Sequence, residues 1–66
     1  MKLILYSTNC PKCSVLKRKL EAKNITFEEN HSVDEMIALG IHTVPILQVD
    51  DKMMDFTTAV KWVNEQ

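Results

Sequence analysis

The order of apolar runs and chain breakers predicts a small α/β domain: a mixed four-stranded sheet flanked by three helices, in the order β-α-β-α-β-β-α. Three observations carry this. A short apolar run at 2–6 is followed by Pro11 and then by apolar residues at helical spacing. Ser32 and Glu35 bracket the start of a second helix, and Gly40, the single glycine, stands at its end. Two short apolar runs lie either side of Asp50-Asp51, and a last amphipathic segment follows. A strand–helix–strand beginning requires a parallel pair, whereas a short turn joins antiparallel strands. With 66 residues the chain is expected to be one domain, 1–66.

The elements follow in order. Residues 2–6 carry apolar side chains on both faces, as an interior strand covered on both sides does. From Pro11 to about Asn24, Cys13, Leu16 and Leu20 share one helical face, with Lys12, Lys19 and Lys23 on the other. Residues 25–29 read as a second short strand with Phe27 inward. Ser32-Val33-Asp34-Glu35 is a capping box, and Met36, Ile37 and Leu39 follow it. Residues 46–49 form a third strand, Asp50-Asp51 the hairpin turn, and 52–54 the fourth strand. Phe56, Ala59, Val60 and Val63 line one face of a last helix, for which Thr57 or Thr58 supplies the cap.

Composition narrows the function classes. Eight basic and nine acidic residues leave a net charge of −1, which gives no footprint for nucleic acid or an anionic membrane. The apolar stretch at the start is far shorter than a secretory core or a membrane span. The expectation is a cytoplasmic, monomeric protein. In a reducing compartment a Cys pair is catalytic or metal-binding rather than a structural staple.

Cys10-Pro11-Lys12-Cys13 falls between the first strand and the first helix. That junction places Cys10 at a helix N-cap, where unpaired N–H groups and the helix dipole favour a negative charge. Thiols at such sites ionise between about pH 3.5 and 7.5, and the thiolate attacks disulfides. Cys10 is therefore the expected nucleophile and Cys13, nearly one turn further on and better buried, the resolving thiol. Pro11 stiffens the turn without an N–H to satisfy, and Lys12 brings a positive charge close by. A zinc site would need two more ligands. His31 and His42 are the candidates, but ten residues separate them, unlike the close His pair of a finger. Each His alone reads as a loop residue near a helix end.

Thr43-Val44-Pro45 precedes the third strand. Pro45 reads either as an ordinary first residue of a strand or as a cis-proline. A cis turn would leave the backbone N–H and C=O of Val44 free at the sheet margin, where an extended substrate segment could pair with them.

Taken together, Cys-Pro-x-Cys after a first strand, Thr-Val-Pro some thirty residues later and the β-α-β-α-β-β-α order resemble the glutaredoxins and related small redoxins of the thioredoxin superfamily. The resemblance spans nearly the whole chain. It implies a thioredoxin-like fold and a dithiol–disulfide oxidoreductase that reduces protein disulfides. Cys10 and Cys13 would be catalytic and Pro45 the family's cis-proline. Tyr6 and the segment from Ser7 to Asn9 would lie beside the thiols, and Thr43, Val44 and Asp55 would contact substrate. No bound cofactor is implied beyond the Cys10–Cys13 redox pair. Its potential would fall between about −270 and −180 mV.

The departures concern the reductant. Typical glutaredoxins carry Tyr where Lys12 stands, Lys where Ser7 stands, and Gly-Gly where Met53-Met54 stands. The last two serve glutathione. Ala38-Leu39-Gly40-Ile41 and the Asp55-Phe56 corner are closer to the redoxins that reduce ribonucleotide reductase, which take electrons from thioredoxin reductase. The implied partners are thus a disulfide-bearing protein such as ribonucleotide reductase and, as electron source, thioredoxin reductase or glutathione. The rival readings of the same Cys pair are a metal-binding module and a redox-sensing module without turnover.

Overall fold

The computed structural model describes residues 2–8 and 10–66. The elements are β1 (Leu3–Tyr6), α1 (Pro11–Ala22), β2 (Glu28–Asn30), α2 (Val33–Ala38), β3 (Ile46–Val49), β4 (Lys52–Met54) and α3 (Phe56–Asn64). The four strands form one mixed sheet in the order β2-β1-β3-β4. β1 runs parallel to β2 and antiparallel to β3, and β3 and β4 form the antiparallel hairpin. Leu5 is level with Leu47 on one side and Glu29 on the other.

Alternation along the strands decides where the core sits. Leu3 and Leu5 on β1 and Leu47 and Val49 on β3 share a face. With Leu16 and Leu20 of α1 and Ala59 and Val63 of α3 they form one buried cluster. Each Leu or Val side chain of the cluster contributes about 1.5–3 kcal/mol by leaving water. The second face carries Ile4, Tyr6, Ile46 and Gln48. There Tyr6 is buried, the other three are half-buried, and the Tyr6 hydroxyl donates to Gln48 Oε1 at 3.0 Å.

Local chemistry explains the helix boundaries. α1 stops at Ala22, two residues before the expected end, because Asn24 takes a left-handed φ of 56°. Asn24 N–H then bonds Glu21 O at 3.0 Å and Ile25 N–H bonds Leu20 O at 3.1 Å. These two bonds close the helix as a Schellman motif. α2 ends the same way at Gly40, φ 79°, with Gly40 N–H on Ile37 O at 3.0 Å and Ile41 N–H on Met36 O at 2.8 Å.

Three expectations need correction. The second strand begins at Glu28, not at Ile25. Ile25 is spent on the end of α1, and it and Phe27 pack against the core from the connection. The capping box forms only in half: Ser32 Oγ accepts Glu35 N–H at 3.3 Å, but Ser32 N–H goes to Asn30 Oδ1 at 2.9 Å. The Glu35 carboxylate takes the Asn30 amide instead. Of the apolar residues around α2 only Met36 is buried; Ile37 and Leu39 are exposed. The cap of α3 is Asp55, whose Oδ1 accepts Thr58 N–H at 2.8 Å, rather than either threonine. Among the described residues, no helix is long and apolar enough to cross a membrane.

Candidate functional site

The chain leaves β1 at Tyr6, makes a short connection and enters α1 at Pro11. Cys10 is the N-cap, extended at φ −100° and ψ 153°. Its backbone oxygen accepts Ser14 N–H at 3.2 Å, the first turn of the helix. Its sulfur accepts the backbone N–H of Cys13, also at 3.2 Å. Pro11 at the first helical position has no N–H to compete. Cys10 is half-buried and Cys13 is 4% exposed. Their Cα atoms lie 5.2 Å apart, and the two sulfurs are joined as a disulfide. An N-cap sulfur that already receives an N–H is placed to hold a negative charge once the pair is reduced.

A groove of about 220 Å³ runs beside this segment. Lys12, Thr43, Val44, Pro45 and Asp55 line it, together with the start of α3 at Phe56 and Thr57. The structure therefore gathers in one groove five residues that sequence reasoning took from three separate stretches. The Val44–Pro45 bond is cis, and Pro45 is fully buried. Among the described residues, Val44 makes no backbone hydrogen bond. The Lys12 ammonium lies over the Phe56 ring, 5.6 Å from its centre, a cation–π contact that turns it towards the groove. The Asp55 carboxylate is occupied in capping α3, and the Thr58 N–H, then its hydroxyl, hold it below the ordinary carboxylate range. Tyr6, expected beside the thiols, commits its hydroxyl to Gln48. Asn9, expected there too, lies outside the described residues.

A second, smaller pocket of about 110 Å³ lies on the Cys13 side and was not foreseen. Glu29 links two partners there: Lys17 Nζ at 3.0 Å and His31 Nε2 at 3.0 Å. The hydrogen bond from Lys17 holds the Glu29 carboxyl below its ordinary range, and the same bond raises Lys17. His31 Nδ1 reaches Ser7 O at 3.1 Å, with Ser7 Oγ at 3.4 Å. The signal that finds this pocket is strand register. Tyr6 is level with Asn30 in the parallel pair, so Ser7 and His31 continue side by side. Placing β2 three residues too early hides it.

Among the described residues, no three His, Cys, Asp or Glu side chains gather to hold a metal ion. No protein-family model matches the chain, and no curated protein matches it.

Proposed function

We propose that this chain is a thioredoxin-like dithiol–disulfide oxidoreductase of glutaredoxin type. One observation carries the reading: the sulfur of half-buried Cys10 caps α1 and receives the N–H of a buried Cys13 one turn along. That asymmetry gives the two thiols different tasks. The Cys10 thiolate attacks one sulfur of a substrate disulfide and expels the other as a thiolate. The resulting mixed disulfide is attacked at Cys10 by the Cys13 thiolate, which releases the second substrate thiol. Two electrons have then passed from the dithiol to the substrate, and Cys10–Cys13 is left oxidised.

The groove beside Val44 suits an extended substrate segment, which would pair with the Val44 backbone, unbonded among the described residues. The electron source on this reading is thioredoxin reductase. Glutathione recognition is disfavoured because Ser7 and Met53-Met54 replace a Lys and two Gly of the dedicated glutaredoxins. A lost charge-assisted hydrogen bond weakens binding by about 1.5–3 kcal/mol. The physiological target would be a cytoplasmic protein disulfide, of the kind ribonucleotide reductase presents.

The test is reduction of a disulfide-bonded protein by catalytic amounts of the chain. NADPH with thioredoxin reductase supplies electrons in one arm, and glutathione with its reductase in the other. Turnover in the first arm that exceeds the second is expected. No turnover in either overturns the reading, and equal or faster turnover with glutathione overturns the choice of reductant.

A further inference from the structure

The groove beside the cysteine segment holds two charged side chains, and only one of them has a partner. Its lining carries one carboxylate, Asp55, and one ammonium, Lys12. Asp55 Oδ1 accepts the Thr58 N–H at 2.8 Å, which ties it to the start of α3. Lys12 has no such tie: among the described residues it meets no carboxylate within ion-pair distance. Its ammonium stands over the half-buried Phe56 ring, 5.6 Å from the centre. That contact holds the charge at the groove without neutralising it. Thr43, Val44, Pro45 and Thr57 complete the lining and carry no charge. Lys12 is the second residue after Cys10, so their Cα atoms are at most about 7 Å apart. An extended substrate covers that span in about two residues.

We propose that Lys12 is a specificity-determining residue, which selects protein disulfides whose attacked cysteine has an acidic side chain close to it in sequence. The selection rests on the oxidoreductase reading and narrows its substrate class. The occupant of the groove is an extended acidic segment. Its backbone pairs at Val44, and its carboxylate accepts from the Lys12 ammonium. A basic side chain in the same place is repelled by Lys12 and finds Asp55 already engaged with Thr58. Lys12 is exposed, so water and salt screen the pair and keep the preference small. The Lys12 charge also acts on the Cys10 thiolate. That effect is common to every substrate and cancels when two substrates are compared on one chain.

The experiment reduces peptide disulfides with the whole chain, itself reduced beforehand. Each peptide carries one cysteine in a disulfide with mercaptoethanol, a neutral cap, and has Glu, Gln or Lys on both sides of that cysteine. The released peptide thiol is quantified by chromatography after an acid quench, which gives a second-order rate constant. The parent, Lys12→Gln and Lys12→Glu are compared. The Glu-to-Gln rate ratio within one chain removes that chain's thiol reactivity, and the Lys12→Gln chain removes the intrinsic reactivity of each peptide. The ratio in the parent is expected to exceed that in Lys12→Gln by about two- to fivefold at low salt. The excess should shrink in about 1 M salt. In Lys12→Glu the Lys peptide should overtake the Glu peptide. Equal ratios in the parent and Lys12→Gln, or an excess that salt leaves unchanged, overturn the selection alone. A reduced chain that attacks none of the peptides faster than dithiothreitol at equal concentration overturns the oxidoreductase reading and the selection together.

Discussion

The backbone N–H of Cys13 points at the sulfur of Cys10, 3.2 Å away. The bond makes one cysteine the acceptor of the helix end and leaves the other inside it. On reduction the two thiols should differ in reactivity. Iodoacetamide at neutral pH is expected to alkylate Cys10 well before Cys13, read by peptide mass spectrometry. Equal labelling, or faster labelling of Cys13, would contradict the assignment.

Stability should be steeply sensitive at Leu16 of α1 and indifferent at Ile37 on the exposed face of α2. Leu16 is fully buried between the sheet and α3, so Leu16→Ala is expected to cost about 2–5 kcal/mol. Ile37 is 64% exposed, so Ile37→Ser should stay within about 0.5 kcal/mol of the parent. Urea unfolding measures both. A loss at Ile37 comparable to that at Leu16 would mean that α2 packs far more tightly than its exposure indicates.

Gly40 closes α2 at φ 79°, and an added Cβ would meet nothing within 4 Å. The cost of Gly40→Ala is therefore backbone strain alone, about 1–2 kcal/mol. Gly40→Asn should cost less, since Asn tolerates the left-handed region, as Asn24 does at the end of α1. Urea midpoints of the two variants provide the check, and an Ala variant as stable as the parent would rule this out.

Stability should fall in acid through two carboxylates. Asp55 and Glu29 both sit below their ordinary values in the folded chain. Each therefore contributes stability above the unfolded carboxylate value, about pH 4, and loses it as pH falls through the folded value. Lys17, raised by Glu29, contributes below the ordinary lysine value and loses it as pH rises through the folded one. Asp55→Asn should retain a cap while flattening the acid limb of a urea-midpoint curve. Glu29→Gln should flatten both limbs. Curves parallel to the parent's would show that these contacts do not form in water.

How much could be read from the sequence depended on whether a residue's partner was local. Pro11 marked the first helical position, and so placed Cys10 on the cap and Cys13, Leu16 and Leu20 on the buried face. Gly40 marked the end of α2, since the Schellman turn needs only neighbours in sequence. The cap of α3 was missed because Asp55, Thr57 and Thr58 are all cap formers within one turn, and only geometry chooses among them. Hydrophobicity alone does not tell that Ile37 and Leu39 are exposed, since it does not say whether a surface exists to pack against. The Ser7–His31 contact is hidden in the sequence because it depends on the β1–β2 register, and the Lys17–Glu29 pair because it joins α1 to β2 across the fold.

The most direct measurement of the central claim uses the two cysteines one at a time. The reduced Cys13→Ser and Cys10→Ser chains are each mixed with a disulfide-bonded protein, quenched in acid and separated without reductant. Cys13→Ser keeps the attacking thiol and loses the resolving one, so it should accumulate a mixed disulfide mapped to Cys10. Cys10→Ser should accumulate none and reduce nothing. A mixed disulfide that forms through Cys13 instead, or that forms with neither variant, would contradict the account.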